Sequence, residues 1–164
     1  MSETHFLVMD VDGTLTDGKV YMGPLGESMK AFDIKDGYAI KLLLPQVDII
    51  PIVITARQSA MVEHRCNELN VREIHQGVSA KLDCLLSIIK RYSSENTKYT
   101  LANCAYIGDD LLDIQCMKPI KEMGGIVGCP SDAVAAVKQL SNFISSKKGG
   151  DGAVREFVEW LITS

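Results

Sequence analysis

Residues 6–14 read FLVMDVDGT, an uninterrupted apolar run that passes directly into two aspartates and a glycine. A run without polar alternation suits a strand that is covered on both faces, as in a parallel sheet. In such sheets, ligands bind at the carboxyl ends of the strands. Asp10 and Asp12 therefore stand at the predicted ligand-binding edge.

Similar apolar runs recur and alternate with segments of helical spacing. This alternation predicts right-handed β-α-β units and an α/β fold with a doubly wound, Rossmann-like parallel sheet. The chain has 164 residues, and a domain has roughly 100–200, so we expect one domain over residues 1–164 without a separate lid. The predicted strands after the first are 49–54, 73–75, 104–107, 125–127 and 142–144, and the predicted helices are 37–44, 58–69, 80–92, 111–117 and 132–140.

One segment, at residues 19–32, departs from the alternation. Residues 19–22 and 28–32 are predicted strands around a turn at 23–27, and they form a β-hairpin inserted after the first strand. An isolated hairpin is marginal in water, so we expect it to pack on another subunit. The chain ends in a predicted flexible glycine-containing loop and a terminal helix, which together span residues 145–164.

Composition excludes several classes of function. The net charge of −4 gives no overall attraction to nucleic acid or to an anionic membrane, and no apolar run approaches the roughly 20 residues of a membrane span. The five cysteines are widely spaced and lack the spacing of a zinc or redox motif. They are interpreted as buried thiols in a reducing compartment, which predicts a cytoplasmic protein.

The two aspartates of the first motif are costly to bury unless their charge is compensated, and a divalent cation would do this. One carboxylate can attack phosphorus while the other handles the proton of the leaving group. Gly13 allows the backbone to approach a ligand closely.

A second acidic motif follows the predicted strand at 104–107 and contains Asp109, Asp110 and Asp113. Asp109 or Asp110 can complete a set of oxygen ligands, which favours Mg²⁺ over zinc. Asp113 is expected either to support these ligands through hydrogen bonds or to cap the following helix. Alternatively, Asp109 or Asp110 simply caps the following helix. Thr55, at a strand end, and Lys81, at a helix start, can bind phosphoryl oxygens.

The order of these four motifs resembles the haloacid dehalogenase (HAD) superfamily of phosphotransferases. The resemblance implies that Asp10 is the phosphorylated nucleophile and Asp12 the general acid and base. It also implies that Thr55 and Lys81 bind phosphate, and that Asp10, the backbone carbonyl of Asp12, and Asp109 hold Mg²⁺.

Further segments narrow the resemblance to the capless 3-deoxy-D-manno-octulosonate 8-phosphate phosphatases. These segments include Gly26-Glu27, Lys30-Ala31-Phe32, Asp36-Gly37-Tyr38 and 149–156. The family implies a phosphatase of lipopolysaccharide precursor synthesis, a homotetramer assembled through the hairpins, and a tail that can bring Lys148 or Arg155 toward the sugar acid. Arg57 and Arg65 become candidate substrate-binding residues, unless they are exposed cations on the helix after Thr55.

Two alternatives remain open. A related branch acts on nine-carbon substrates, 3-deoxynonulosonate (KDN) or N-acylneuraminate 9-phosphate, and some members are fused to acylneuraminate cytidylyltransferases. In that branch an acidic residue tends to follow the threonine triplet, whereas Arg57 here favours the eight-carbon substrate. Ala56 stands where the family commonly has glycine, a change of one methyl group. A non-catalytic phosphate-binding module is the other alternative, and the four intact motifs argue against it.

Overall fold

The computed structural model describes residues 3–164 and contains a six-stranded parallel sheet with helices on both faces. The strand order is β5-β4-β1-β6-β7-β8, with β1 in the interior between β4 and β6. The predicted α/β, doubly wound architecture is confirmed. The strands of this sheet are β1 (Phe6–Met9), β4 (Ile50–Ile54), β5 (Glu73–His75), β6 (Cys104–Ile107), β7 (Ile126–Cys129) and β8 (Phe143–Ile144), while β2 (Tyr21–Gly23) and β3 (Gly26–Met29) form a separate hairpin.

The helices divide between the two faces of the sheet. The terminal helix and the first two helical segments pack on one face, and the three helices between β5 and β8 pack on the other. Short 3-10 turns precede β6 and the fourth helix. The α-helices are α1 (Ile34–Tyr38), α2 (Ala60–Glu68), α3 (Lys81–Tyr92), α4 (Ile114–Glu122), α5 (Ala135–Leu140) and α6 (Ala153–Thr163).

The burial of strand β1 on both faces explains why its sequence is apolar without interruption. All four of its side chains are fully buried. Leu7 and Met9 join the core cluster on the side of α6, whereas Phe6 and Val8 join the cluster on the side of α3 and α4. A strand with a core on both faces has no solvent-facing position to fill with a polar residue. The aspartates begin where the strand ends.

The hairpin is shorter than its sequence predicts. Gly23 pairs with Gly26, which leaves a two-residue turn at Pro24-Leu25 in place of the predicted turn at 23–27. Gly26 has φ +113°, a conformation that glycine adopts without strain. The predicted second strand, 28–32, is therefore wrong in its bounds, and Lys30 lies beyond the ladder, free to turn back toward the sheet.

The first helix also begins earlier than the predicted 37–44. Asp33 caps it by accepting hydrogen bonds from the backbone N–H groups of Lys35 and Asp36, at 2.7 and 3.2 Å. The helical path then continues through a π-helical turn and a 3-10 turn to residue 47. Asp36, buried in this helix, accepts a hydrogen bond from the backbone N–H of Arg155 at 2.8 Å, which ties the start of α6 to α1.

The loop between β8 and α6 packs on the loop that follows β1 of the same chain. The N–H of Gly150 donates to the carbonyl of Thr14 at 3.2 Å, and the N–H of Gly149 donates to Asp132 Oδ1 at 3.0 Å. A side chain at Gly149 would lie 1.9 Å from the carbonyl oxygen of Gly13. These contacts place the glycine-containing loop beside the first acidic motif.

Among residues 3–164, no helix is both long enough and apolar enough to span a bilayer.

Candidate active site

Three carboxylates from two strand ends meet at the carboxyl edge of the sheet. Asp10 follows β1, and Asp109 and Asp113 follow the neighbouring strand β6. One carboxylate oxygen from each of them lies within 4.8 Å of the others. Because β1 and β6 are adjacent and parallel, their carboxyl ends bring the two acidic motifs together.

One lysine lies between these acids. The ammonium of Lys81, the first residue of α3, is 2.9 Å from Asp10 Oδ1 and 2.9 Å from Asp113 Oδ1. Its side chain is 2% exposed. Burial alone would lower the pKa of Lys81, but the two carboxylates outweigh this and raise it. Lys81 is therefore a cation held inside the domain.

A single lysine does not compensate three carboxylates, of which Asp10 and Asp113 are buried and Asp109 is partly buried. Burial and the Asp113 carboxylate raise the pKa of Asp10 to about 6, although Lys81 acts in the opposite direction. Burial, Asp10 and Asp113 raise the pKa of Asp109 to about 8. Both shifts have the same physical origin, an excess of negative charge in a space with little water.

This donor set fits Mg²⁺. It consists of carboxylate oxygens, which are the hard ligands that Mg²⁺ prefers, and it contains neither imidazole nor thiolate. A divalent cation would also offset the excess negative charge that raises the two pKa values. The prediction of an oxygen-only magnesium site thus agrees with the geometry of this cluster.

Asp113 is buried and accepts hydrogen bonds through both of its carboxylate oxygens. Its Oδ1 accepts hydrogen bonds from Lys81 and from the hydroxyl of Tyr106, at 2.9 and 2.7 Å. Its Oδ2 accepts from the backbone N–H groups of Asp109 and Asp110, at 2.9 and 3.1 Å. Asp113 therefore orients both the lysine and the loop that carries Asp109.

Asp110 does not join the three carboxylates. It is exposed and caps the 3-10 turn at 111–113 by accepting from the backbone N–H of Leu111 at 2.7 Å. The capping alternative thus describes the Asp110 side chain, whereas Asp109 contributes to the cluster and accepts a hydrogen bond from Thr14 Oγ1 at 3.2 Å.

The Asp12 side chain forms contacts different from those of Asp10. Its Oδ1 lies 2.6 Å from the ammonium of Lys30 and 3.4 Å from the guanidinium of Arg57. Glu27 contacts both of these cations, at 3.0 and 3.2 Å. The two aspartates of the first motif are thus held by different partners, Asp10 by Lys81 and Asp12 by the hairpin.

A cleft of about 390 Å³ lies between the two aspartates and the strand-end threonine. Thr55 is buried at the end of β4, while the side chain of Arg57 is 47% exposed at the rim. The predicted phosphate binders and the predicted nucleophile therefore open onto one space. The residues that line it are Asp10, Asp12, Thr55, Ala56, Arg57, Lys81, Asp110, Leu111, Leu112 and Asp113.

Gly13 is required where the two acidic motifs approach each other. It has φ +88°, and a Cβ there would lie 2.0 Å from Asp109 Oδ2. Any side chain at this position would push Asp109 away from Asp10. Gly13 thus permits the close approach of a carboxylate, in addition to the predicted approach of a ligand.

Arg65 is not part of this cleft. Its guanidinium lies 6.0 Å from the centre of the Phe32 ring and 3.3 Å from Glu68, beside Gly37 in a separate cavity. Its role in substrate binding stays a prediction. Arg155 is also engaged elsewhere, over the ring of Tyr38 at 4.9 Å and with Glu159 at 2.6 Å.

Two contributors escaped the sequence reasoning. Tyr106 lies within an apolar strand and is indistinguishable there from a core residue. From the sequence, Lys30 is equally compatible with a substrate contact, a subunit contact and a solvated charge, and its local signal is only its position at the hairpin end, near Glu27. The contacts of both residues depend on tertiary structure.

Comparison with known proteins finds relatives that cover most of the chain. The chain is 36% identical over 158 residues to the 3-deoxy-D-manno-octulosonate 8-phosphate phosphatase KdsC of Escherichia coli K12, a match that covers 96% of this chain and 79% of the relative. No family model matches the chain.

Two solved structures extend the comparison. The 3-deoxy-D-manno-octulosonate 8-phosphate phosphatase of Moraxella catarrhalis, in complex with magnesium, phosphate and KDO, has a TM-score of 0.87 and 36% identity over 98% of this chain and 86% of its own. A Legionella pneumophila protein assigned to HAD superfamily subfamily III A has a TM-score of 0.84 and 31% identity, over 98% and 82%.

Proposed function

This chain belongs to the 3-deoxy-D-manno-octulosonate 8-phosphate phosphatase family of the HAD superfamily, and we propose that its acid cluster carries out that family's reaction. The protein is a magnesium-dependent phosphoric monoester hydrolase that converts 3-deoxy-D-manno-octulosonate 8-phosphate to the free sugar acid and phosphate. The family predicted from the motifs is confirmed. The observation that carries the proposed mechanism is the meeting of Asp10, Asp109 and Asp113 around Lys81 beside Asp12.

The binding of phosphate requires positive charge at an edge rich in carboxylates. We assign Asp10, Asp109 and the backbone carbonyl of Asp12 to Mg²⁺, with Asp113 supporting the site through its hydrogen bonds to the Asp109 loop. When bound, Mg²⁺ supplies charge that offsets the repulsion between an anionic nucleophile and an anionic phosphate. Lys81 and the hydroxyl of Thr55 bind the phosphoryl oxygens.

Asp10 acts as the nucleophile. Lys81 holds its Oδ1, which fixes the direction of the carboxylate at the end of β1. A bond forms between an Asp10 oxygen and phosphorus while the bond from phosphorus to the sugar oxygen breaks. The product of this step is an aspartyl-phosphate.

Asp12 handles the protons. It donates a proton to the departing sugar oxygen, which would otherwise leave as an unstable alkoxide. In the second half of the reaction it accepts a proton from water, whose oxygen attacks phosphorus and releases Asp10. The separation of partners between Asp10 and Asp12 supports this division, because each carboxylate is held by its own lysine.

Arg57 is positioned to bind the sugar acid. It lies at the rim of the cleft with nearly half of its side chain exposed, two residues after the phosphate-binding Thr55. A guanidinium there suits the carboxylate of the eight-carbon acid. The nine-carbon acids carry a carboxylate as well, so the preference for the eight-carbon substrate rests on the resemblance to the family and not on this carboxylate.

The function is tested by phosphate release from the eight-carbon 8-phosphate and a nine-carbon 9-phosphate, measured in parallel with Mg²⁺ and with a chelator. We expect a higher kcat/KM on the eight-carbon substrate and a loss of activity on chelation. A clear preference for the nine-carbon substrate would overturn the substrate assignment. Tight binding of sugar phosphates without phosphate release would indicate the non-catalytic alternative.

We further propose a homotetramer assembled through the hairpin. The hairpin exposes four apolar side chains, Val20, Met22, Leu25 and Met29, and Leu25 at its tip is fully exposed. A cluster of exposed apolar residues on a small insert is typical of an association surface. Light scattering should give a mass about four times that of the 18.0 kDa chain, and the Leu25→Asp variant a smaller one. A wild-type mass of one chain would contradict the assembly.

We also propose that the protein is cytoplasmic. Its chain would form one domain with an inserted hairpin and a tail. The five free cysteines, four of them buried, support a reducing compartment.

A further inference from the structure

Lys30 is a buried lysine that belongs to the hairpin but contacts the catalytic motif. It follows β3, and its side chain is 1% exposed. Its ammonium lies 2.6 Å from Asp12 Oδ1 and 3.0 Å from Glu27 Oε1. A lysine seldom lies so deep unless its charge is paired, and here both partners are carboxylates.

Glu27 closes a small network around Asp12. Its two oxygens contact different cations, Oε1 the ammonium of Lys30 and Oε2 the guanidinium of Arg57. Both cations in turn contact the same oxygen of Asp12, Oδ1. The Asp12 side chain is therefore held by Lys30 and Arg57, both of which Glu27 contacts in turn, and it also lines the cleft.

We propose that Lys30, held in place by Glu27, is the positioning residue of the general acid Asp12. Because Lys30 and Arg57 both engage Oδ1, the oxygen that transfers the proton is Oδ2. The ion pair fixes the rotamer of Asp12, so that Oδ2 meets the sugar oxygen as the phosphorus–oxygen bond breaks. This inference rests on the proposed function and gives the hairpin a catalytic task inside its own subunit, in addition to assembly.

A positioning residue can be told apart from a substrate-binding residue and from a purely structural one. Lys30 does not line the cleft, in contrast to Lys81, and its ammonium is paired with Asp12 and Glu27, so it is not placed to bind the substrate directly. A structural lysine would affect every substrate equally when removed. A positioning residue for the general acid affects a substrate in proportion to its need for a proton on the leaving group.

The test compares two phosphate esters. The sugar 8-phosphate has an alkoxide leaving group that needs a proton, whereas p-nitrophenyl phosphate releases a stable phenolate that does not. The parameter is kcat/KM, because it reports the steps up to the first departure of the leaving group and excludes hydrolysis of the aspartyl-phosphate. Variants are Lys30→Met, Lys30→Arg and Glu27→Gln, with Lys19→Met as the control, because Lys19 is an exposed lysine before β2.

We expect Lys30→Met to lower kcat/KM about a hundredfold on the sugar phosphate, the scale of a general-acid contribution, and only a few-fold on p-nitrophenyl phosphate. Lys30→Arg should recover part of the loss, because it restores the cation. Glu27→Gln should show the same substrate dependence to a smaller extent, and it keeps the test available if Lys30→Met does not fold. Lys19→Met should resemble the wild type on both esters.

Equal losses on the two esters in Lys30→Met or Glu27→Gln, or no loss on the sugar phosphate, would overturn the positioning role while leaving the phosphatase assignment intact. A wild-type protein that releases phosphate from neither ester would instead contradict the proposed function itself. The two failures are therefore distinguishable.

Discussion

Helix α3 contributes to two clusters of charged side chains that differ in how the charge of their acids is compensated. At its start, Lys81 is the single cation among Asp10, Asp109 and Asp113. At its end, Arg91 and Tyr92 join His75 around the single carboxylate of Glu73, the first residue of β5.

The pKa values of the acids follow this difference. Burial would raise the pKa of Glu73, but the hydrogen bonds from Arg91, His75 and Tyr92 outweigh it and hold the value at about 2. In the other cluster burial and neighbouring carboxylates prevail, and the pKa of Asp109 rises to about 8. A buried acid whose partners satisfy it fully serves the fold, whereas an undercompensated group of acids provides a place for a cation and a phosphate.

Replacement of one acid in each cluster should give opposite results. Asp10→Asn keeps the shape of the side chain but removes the charge of the proposed nucleophile, so we expect a loss of at least about a thousandfold in turnover, or some 4 kcal/mol of barrier. Glu73→Gln should retain activity. Phosphate release by both variants checks this, and near-normal turnover by Asp10→Asn would contradict the mechanism.

The undercompensated cluster should also make stability depend on the metal. At about a hundred times its dissociation constant, Mg²⁺ should stabilise the wild type by about 2.7 kcal/mol, seen as a rise in Tm. Asp109→Asn should lose most of this rise, and its Tm in chelator should exceed that of the wild type, because one repelling carboxylate is gone. An unchanged magnesium response in Asp109→Asn would remove Asp109 from the metal ligands.

The compensated cluster around Glu73 should make the stability of the protein depend on pH in the acidic range. The folded-state pKa of Glu73 lies below its ordinary value of 4.5, so the stabilisation is complete above pH 4.5 and is lost as the pH falls toward about 2. Since the Arg91 side chain is 56% exposed, we expect about 1–2 kcal/mol rather than the full linkage value. Urea unfolding from pH 6 to pH 3 should show a smaller decline for Glu73→Gln than for the wild type, and parallel declines would contradict this assignment.

Two tyrosines allow a matched comparison, because the hydroxyl of each donates a hydrogen bond to one of the two clusters. Tyr106→Phe removes a donor to Asp113, and Tyr92→Phe removes a donor to Glu73. Each change should cost about 1 kcal/mol of unfolding free energy. Only Tyr106→Phe should lower kcat, by several-fold, because Asp113 orients Lys81. Equal kcat values in the two variants would show that the Tyr106 hydroxyl serves stability alone.

The sequence predicted the architecture and the edge of the sheet that carries the site, because buried parallel strands and strand-end aspartates leave local patterns. It left the role of Asp113 open between support of the site and capping of a helix, since a carboxylate four residues after Asp109 can do either, and Gly108 makes room for it to turn inward. A Cβ at Gly108 would lie 2.4 Å from Asp113 Cγ.

Other features depend on contacts between distant segments. Lys30 and Asp12 are eighteen residues apart, and their meeting depends on a turn two residues long where the sequence suggested five. Tyr106 alternates with Ala105 and Ile107 in a strand buried on both faces, so its sequence context does not indicate that its hydroxyl reaches Asp113.

The central claim is that Asp10, in the undercompensated cluster, is phosphorylated during the reaction. It is tested most directly by quenching the enzyme during turnover of the sugar phosphate, reducing it with borohydride and sequencing the peptide around residue 10 by mass spectrometry. Borohydride converts an aspartyl-phosphate to homoserine, and the account predicts homoserine at Asp10 and not at Asp12. Homoserine at Asp12, or none at either position during steady turnover, would contradict it.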